Sequence, residues 1–297
     1  QYVVQSICEK YGKLSILCSN AGIFPHTDID RRRFGISVRA RIRFIQKRHT
    51  LNAVFSRFKR KGDQIVDRKT RIERFRKRLL NKGVDFFIIR GTTVSAEHVS
   101  EQGEPLDLKE FIYDLDVPVI VGGCASYQTA LHLMRTGAAG VLVGFGGAAT
   151  STTRQVLGIE VPMASAIADV AEARRDYLDE SGGRYVHIIA DGAMGTSGHI
   201  VKAIASGADA AMIGGPLARA VEAPGKGWHW GAEAWHATLP RGRRVRYDSV
   251  GSLEEVLLGP STVTDGTMNL VGALRRALAT TGYQDLKEFQ RIDLVIR

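Results

Sequence analysis

The feature that most constrains the fold is an alternation, from residue 82 onward, of short continuous apolar runs with helical patterns. The runs predict strands at residues 84–89, 117–123, 139–144, 185–192 and 210–215, and helices over 108–115, 126–137, 166–181 and 197–207. Strands that are apolar on both faces are typical of a parallel sheet covered by helices on both sides. Glycine stands at or just after the end of each run. The fold class is therefore α/β, a partial (β/α)8 TIM barrel made of about the last five strands.

The third of these strands runs directly into a glycine-rich loop. Residues 139–154 read Ala-Gly-Val-Leu-Val-Gly-Phe-Gly-Gly-Ala-Ala-Thr-Ser-Thr-Thr-Arg. Loop glycines have no Cβ, so backbone N–H groups can approach an anion closely. In this class of barrel the residues just after the strands build the active site. The loop therefore predicts a cradle for a phosphate or an ion.

Charge divides the chain into two regions. Residues 31–80 contain 19 Lys/Arg against three Asp/Glu, whereas the whole 297-residue chain has a net charge of +10, so the rest is mildly acidic. Phenylalanines interleave with the arginines, a combination that can bind nucleic acid through phosphate contacts and stacking. No recognisable nucleic-acid module frames them, and a solvated, partly helical, poorly packed segment is the favoured interpretation. We expect no nucleic-acid partner.

The cysteines and the hydropathy favour a cytoplasmic protein. Cys8, Cys18 and Cys124 are odd in number and widely spaced, so they form neither a metal pattern nor a disulfide framework. No apolar run reaches the length of a membrane span.

The N-terminal residues have a different character from the rest. A helix is predicted over 2–11 and a strand over 14–18, and residues 11–23 resemble the central strand and Asn-Ala-Gly turn of short-chain dehydrogenases. That family's glycine-rich cofactor loop and Tyr-x-x-x-Lys pair are missing. We therefore expect three units, namely a short-chain-dehydrogenase-like fragment at 1–28, an atypical basic Arg-rich segment at 29–81, and an incomplete barrel domain at 82–297.

The barrel domain carries a series of motifs in a fixed order. They are Gly144-Phe145-Gly146-Gly147 through Thr153, Val161-Pro162-Met163-Ala164-Ser165-Ala166, Ile189-Ala190-Asp191-Gly192, Met212-Ile213-Gly214-Gly215-Pro216-Leu217-Ala218, Glu222-Ala223-Pro224-Gly225, Tyr247 with Gly251-Ser252-Leu253, and Asp285-Leu286-Lys287-Glu288-Phe289. Together they resemble the IMP dehydrogenase/GMP reductase family. The resemblance is greatest to its shorter actinobacterial-type branch, which lacks the regulatory CBS module.

The resemblance implies an oxidoreductase of purine metabolism that binds a purine mononucleotide, IMP or GMP, and acts as a homo-oligomer. Asp191 would accept hydrogen bonds from the ribose hydroxyls, because a carboxylate only accepts. The 5′-phosphate would accept hydrogen bonds from the backbone N–H groups of Gly192, Gly214 and Gly215 and from the hydroxyl of Tyr247. Gly251 would complete the substrate-binding set.

The same resemblance implies a cofactor, an ion and two reacting residues. NAD or NADP would lie beside Gly144 and Gly146, and K⁺ would be held by the backbone carbonyls of Gly146, Ala148 and Ser151. Ser151 stands where the nucleophile acts, and Thr153 stands where the family has a threonine near the reacting carbon.

Several of these residues also have a purely structural interpretation. Asp191 would then cap a helix, Gly214 and Gly215 would supply turn geometry, and Tyr247 would be a half-buried aromatic. Thr153 would then be a helix N-cap.

The sequence departs from the family at the reacting atom. In the family a cysteine thiolate attacks C2 of the purine while hydride leaves to NAD, whereas the matching residue here is Ser151. A serine hydroxyl is a much weaker nucleophile unless a base activates it. Cys124, after the preceding strand, is the alternative thiol, although a small buried apolar residue is the preferred interpretation.

Further positions differ from the family pattern. Ala149 replaces a phosphate-binding serine, Ala193 replaces the second glycine of an Asp-Gly-Gly motif, and Arg90 replaces an aspartate that would face the cofactor. The mobile flap with its Arg-Tyr pair, which activates water, has no counterpart between Gly251 and Leu270. Oxidation of IMP to XMP with NAD therefore competes with three alternatives: GMP reductase chemistry with NADPH, nucleotide binding without catalysis, and a truncated or fused remnant without function.

The predicted sheet is incomplete. Residues 1–80 contain one good strand pattern where three are needed, and an open sheet of five strands leaves two unpaired edges. We therefore expect a chain that is unstable alone or is completed by a partner subunit.

Overall fold

The core of the protein is one sheet of seven parallel strands, in the order β1-β7-β6-β5-β4-β3-β2. The structure is a computed structural model that describes residues 16–18, 42–46, 86–90, 107–230 and 243–295. The strands are β1 (Ile16–Cys18), β2 (Ile42–Gln46), β3 (Phe86–Arg90), β4 (Val119–Cys124), β5 (Gly140–Val143), β6 (His187–Asp191) and β7 (Ala210–Ile213). The five strands predicted beyond residue 82 are all present, within two residues at each end. The α/β class and the partial (β/α)8 barrel are confirmed.

Helices connect these strands and cover the outside of the sheet. They are α1 (Leu108–Tyr113), α2 (Tyr127–Arg135), α3 (Thr153–Leu157), α4 (Met163–Glu180), α5 (Ser197–Ala205), α6 (Gly215–Ala218), α7 (Leu253–Leu258), α8 (Leu270–Thr280) and α9 (Leu286–Phe289). An antiparallel hairpin of β8 (Trp228–Trp230) and β9 (Arg244–Arg246) follows α6. Within these ranges, no helix has both the length and the apolar character needed to span a bilayer.

Both faces of the sheet are buried, as the continuous apolar runs predict. Successive side chains of a strand point to opposite faces. Val141 and Val143 of β5 join the large cluster that packs against the helices. Leu142 lies in a smaller cluster on the other face, with Ile88, Ile189 and Met212. The smaller cluster is the interior of the partial barrel.

The prediction that the five-stranded sheet has two unpaired edges was wrong. β1 lies parallel to β7, with Ile16 opposite Ala211, and β2 lies parallel to β3, with Ile42 opposite Phe86. Short strands of the N-terminal region therefore cover both edges by backbone hydrogen bonds, which need no particular side chains. The predicted strand at 14–18 is confirmed as β1, whereas β2 was not predicted. The predicted helix at 2–11 and the basic segment apart from β2 lie outside the described residues.

A buried carboxylate fastens the end of the sheet at which the strands begin. Asp209 immediately precedes β7, and its side chain is 9% exposed. Its Oδ2 accepts hydrogen bonds from Arg174 Nη1 and from the backbone N–H of Ile188, each at 2.8 Å. Its Oδ1 accepts hydrogen bonds from Lys287 Nζ at 2.5 Å and from the Tyr185 hydroxyl at 2.7 Å. This carboxylate therefore connects α4, β6 and α9.

The surroundings of Asp209 favour its ionised form. Burial raises the pKa of this carboxyl, but the charge of Arg174 and the hydrogen bonds from Lys287, Ile188 and Tyr185 lower it, and the net result lies below the ordinary aspartate value. Burial and the hydrogen bond to Asp209 raise the pKa of Tyr185 well above its usual range. The network is far from the ends of the strands that carry barrel active sites, and it stabilises the fold.

Candidate functional site

The carboxyl ends of four neighbouring strands meet at one edge of the sheet. Cys124 of β4 lies opposite Val143 of β5, and Val143 lies opposite Ala190 of β6. Asp191 of β6 lies opposite Met212 of β7. The loops that follow β5, β6 and β7 therefore begin side by side, at the edge where barrel active sites lie.

The loops after β5 and β6 are in direct contact. Gly144 has φ +133°, and a Cβ added there would lie 2.5 Å from the backbone oxygen of Asp191 and 2.6 Å from Met163 Sδ. A Cβ added to Gly147 would lie 3.2 Å from the Cβ of Ala193. Any side chain at Gly144 would push the two loops apart. The glycine-rich loop thus packs against the backbone of Asp191, the residue predicted to bind the ribose.

Ser151 is half-buried in this loop and is held by hydroxyl and backbone groups. Its N–H donates to Ala148 O at 2.9 Å, which closes a tight turn. Its Oγ donates to Thr153 Oγ1 at 3.2 Å and accepts from the Thr153 N–H at 3.3 Å. No hydrogen bond joins the Ser151 hydroxyl to a histidine or lysine of the described ranges. Within the described part of the chain, no histidine or lysine is therefore positioned by a hydrogen bond to activate Ser151 as a nucleophile.

Thr153 is buried, and it is the first residue of α3. The helix N-cap is Thr152, so the N-cap interpretation of Thr153 was off by one residue. Its side chain lies beside Ser151, and its role near a reacting carbon stays a prediction.

Cys124 is no substitute for the missing thiolate. The residue is fully buried, and its Sγ lies 3.4 Å from the backbone oxygen of Leu142. Burial raises the pKa of the thiol to about 12. At neutral pH it stays protonated, and the thiolate is the reactive form. The structure supports the interpretation of Cys124 as a small buried apolar residue.

The loop after β6 has two residues in succession at positive φ. Asp191 is half-buried at the end of the strand, and Gly192 follows with φ +134°. Ala193 has φ +57°, a left-handed conformation that favours glycine. Alanine at this position therefore costs about 1 kcal/mol in local strain.

The loop after β7 meets Tyr247. A Cβ added to Gly215 would lie 3.3 Å from the Tyr247 hydroxyl oxygen. The Tyr247 backbone N–H donates to Gly227 O at 2.9 Å, which fixes the tyrosine after the β8–β9 hairpin. Burial raises the pKa of Tyr247. The hydroxyl therefore stays a hydrogen-bond donor at neutral pH, beside the backbone that the resemblance assigns to the phosphate.

Two residues near Tyr247 were missed from the sequence. The guanidinium carbon of Arg219 lies 4.7 Å from the centre of the Tyr247 ring, and the His229 ring lies 6.2 Å from it. Arg219 directly follows the motif that ends at Ala218, and this position in the sequence could have marked it as a site residue. No sequence feature marks His229, because the pairing of β8 with β9 brings its ring close to Tyr247.

Gly251 has structural partners. It pairs with Ala220 in a parallel bridge, and its carbonyl accepts from Val221 N–H at 2.9 Å. A Cβ there would lie 2.7 Å from Glu255 Oε2, which belongs to the capping box of α7. None of these described contacts reaches the loops after β5 and β6, so substrate binding by Gly251 stays a prediction.

The segment between α7 and α8 is short and is held against the start of α5. Ser197 N–H at the start of α5 donates to Gly266 O at 2.8 Å, and Asp265 Oδ1 accepts from the Thr267 hydroxyl at 2.6 Å. A mobile flap is therefore not found at this position of the structure.

The glycines and carbonyls of the loop after β5 were predicted to contact a cofactor and an ion. Gly146 has φ +71°, and a Cβ there would lie 3.0 Å from Ile159 O, so packing explains this glycine as it explains Gly144. Contact of either glycine with a nicotinamide stays a prediction. Ala148 O accepts the Ser151 N–H and keeps a second lone pair that a hard cation can use, and K⁺ binding by the carbonyls of Gly146, Ala148 and Ser151 stays a prediction. Among the described side chains, no cluster of three His, Cys, Asp or Glu residues forms a metal site.

Comparison with known proteins agrees with this arrangement. A family model described as IMP dehydrogenase / GMP reductase domain matches residues 59–297. An uncharacterized oxidoreductase of Mycobacterium leprae is 58% identical over 222 residues, which are 73% of this chain and 59% of that protein. Inosine-5′-monophosphate dehydrogenase of Thermoplasma acidophilum is 32% identical over 229 residues, which are 72% of this chain and 45% of that protein.

A solved structure shows the same relationship in three dimensions. The crystal structure of an IMP dehydrogenase/GMP reductase-like protein from Corynebacterium glutamicum superimposes with a TM-score of 0.69 at 54% identity. The match covers 77% of this chain and 59% of the other. The chain thus spans about three-fifths of the length of the Mycobacterium leprae and Corynebacterium glutamicum proteins. It belongs to the IMP dehydrogenase/GMP reductase family of oxidoreductases.

Proposed function

We propose that the chain binds a purine ribonucleoside 5′-monophosphate at the carboxyl edge of the sheet. The single observation that carries this proposal is that the loops after β5, β6 and β7 begin side by side at this edge, with Tyr247 beside the third of them. The glycine-rich loop packs against the backbone of Asp191, and the Tyr247 hydroxyl lies against Gly215. A carboxylate, a hydroxyl donor and an accessible backbone match the ribose and the phosphate of a nucleotide.

The reaction proposed for this site is the oxidation of IMP to XMP with NAD. The Asp191 carboxylate accepts hydrogen bonds from the ribose hydroxyls, and the Tyr247 hydroxyl donates a hydrogen bond to the phosphate. The loop after β5 holds the base beside the Ser151 hydroxyl. NAD or NADP, when bound, supplies the hydride acceptor or donor. The carbonyls of Gly146, Ala148 and Ser151 hold K⁺ in the same proposal.

Two observations favour a second candidate, nucleotide binding without efficient catalysis. The Ser151 hydroxyl is hydrogen-bonded to Thr153. The thiol of Cys124 is buried and protonated. GMP reductase chemistry with NADPH needs no flap, but it needs the same nucleophile.

A ligand-dependent melting experiment separates binding from catalysis. A nucleotide present at about one hundred times its Kd stabilises the folded chain by about 2.7 kcal/mol. We expect IMP or GMP to raise the melting temperature by about 5 to 10 °C, the shift typical of a domain this size. Asp191→Asn should reduce the shift, because the amide no longer only accepts from the ribose. Absence of any shift with both nucleotides would refute the proposed function.

Turnover is measured by nicotinamide absorbance with IMP plus NAD, and separately with GMP plus NADPH. The wild type, Ser151→Cys and Ser151→Ala are compared. A gain in turnover specific to Ser151→Cys supports the position of the nucleophile. Equal rates for all three would refute a role for residue 151 in the chemistry.

The proposal includes a cytoplasmic homo-oligomer. Among the described strands, β1 and β2 each pair on one side, and an unpaired strand edge favours pairing with another chain. Light scattering of the purified chain at several concentrations tests this part.

A further inference from the structure

Arg219 is a cation at the edge of the site to which the motifs assign no role. It is the C-cap of α6, the helix that begins at Gly215. Its guanidinium carbon lies 4.7 Å from the centre of the Tyr247 ring. The hydroxyl of that same tyrosine lies against Gly215. One aromatic ring therefore places the guanidinium beside the turn to which the phosphate is assigned.

The donors of this guanidinium are available. Its side chain makes no hydrogen bond or ion pair with the residues for which the structure gives contacts. The hydrogen bonds from Thr267 are the main reason that the pKa of Asp265 is lowered. The charge of Arg219 lowers this pKa by a smaller amount and without a hydrogen bond. A guanidinium has five N–H donors in a planar fork, which matches the oxygens of a phosphate.

The other groups around Tyr247 do not replace this cation. Burial lowers the pKa of His229, so its imidazole is neutral at pH 7, and its buried Nδ1 has no partner among the described residues. Arg243 acts on Tyr247 electrostatically, but it is exposed just before β9. Arg219 is the positive charge that stacking holds in place at this ring.

We propose that Arg219 makes the site selective for a phosphate monoester, so that a purine nucleoside 5′-monophosphate binds in preference to the nucleoside. This inference rests on the proposed function. The guanidinium binds phosphate oxygens from the side of Tyr247, while the tyrosine hydroxyl and the backbone of Gly214 and Gly215 bind them from the other side.

The test compares IMP with inosine, which lacks the phosphate. The 297-residue chain is titrated with each ligand by calorimetry as wild type, Arg219→Gln, Arg219→Lys and Arg291→Gln. Arg291 is an exposed arginine after α9, so its variant matches the loss of charge away from the site. Arg219→Gln should weaken IMP binding about 10- to 100-fold, the range for a hydrogen bond to a charged group. Inosine binding should stay unchanged, and Arg219→Lys should recover part of the IMP affinity.

The outcomes separate this inference from the proposed function. Wild type that binds neither ligand overturns both. If the wild type prefers IMP over inosine and the Arg219→Gln variant keeps the same preference, the inference is overturned and the proposed function is not. An equal loss for IMP and inosine assigns Arg219 a structural role through Tyr247 and also overturns it. NAD, whose two phosphates are joined in a pyrophosphate and include no terminal monoester, is titrated in parallel, and a loss confined to NAD would show that the guanidinium recognises the dinucleotide instead and would overturn the inference.

Discussion

Replacing Arg174 by methionine removes the cation of the mostly buried ion pair at the base of the sheet, together with the hydrogen bonds of Arg174 to the Tyr185 hydroxyl and Gly207 O. The side chains of Arg174 and Asp209 are 12% and 9% exposed. Methionine keeps much of the length of the side chain but leaves the carboxylate without its buried counter-charge. The variant therefore probes charge pairing with a small change in packing.

The structure sets the size of the expected effect. Removing one partner of a buried pair costs about 3 to 5 kcal/mol, because the other charge is left uncompensated. Lys287 also contacts Asp209 and offsets part of that cost. We expect Arg174→Met to lower the free energy of unfolding by about 2 to 4 kcal/mol, and the melting temperature by about 5 to 15 °C.

Urea unfolding followed by circular dichroism measures the loss. Arg135→Met is the matched control, because Arg135 pairs with Glu180 across exposed surfaces of α2 and α4, where side-chain exposures are 54% and 45%. Exposed pairs contribute little to stability. The double variant Arg174→Met/Asp209→Asn should cost less than the sum of its single changes, because the charge that loses its partner, on Lys287, is exposed to solvent. If Arg174→Met destabilises the chain no more than Arg135→Met, the reasoning from burial is refuted.

Three further predictions concern protonation, backbone strain and thiol reactivity. The pKa of Asp209 is lower in the folded chain than in the unfolded chain, so the stabilisation by its carboxylate is complete above about pH 4 and is lost as pH falls further. The difference in unfolding free energy between wild type and Arg174→Met should therefore shrink on acidification. A difference that stays constant with pH would contradict this prediction. Gly144→Ala should destabilise the chain by about 1 to 3 kcal/mol and abolish nucleotide binding, whereas Gly158→Ala, also at positive φ but with open space around it, should retain binding in the same melting assay. Cys124 should resist alkylation in the native chain and react after unfolding, as read by peptide mass spectrometry; rapid native labelling would show that the thiol is accessible.

The sequence predicted the elements whose signal is local. Each of the five apolar runs formed a strand, because continuous apolar character is required when both faces are covered. The glycine-rich loop and Ser151 were also recognisable, since the motif lies within one stretch of chain. β2 was not predicted, because its apolar residues alternate with arginines in a segment whose composition indicates a solvated region.

Long-range contacts explain what the sequence did not reveal. Lys287 reaches Asp209 across 78 residues, and no local pattern marks either residue as a partner. The stacking of Arg219 on Tyr247 depends on the β8–β9 hairpin between them. The inertness of Cys124 depends on complete burial, which only the packed sheet determines.

The interlocking of the loops after β5 and β6 restricts how such a site can change. Gly144 packs against the backbone oxygen of Asp191 and Gly147 against the Cβ of Ala193, so no long side chain lies between these residues to absorb a shift. Enlarging one loop to accept a different base would displace Asp191 and its neighbours as well. Divergence toward a new ligand would therefore require compensating substitutions in both loops, and single-site libraries should recover few variants with altered base preference.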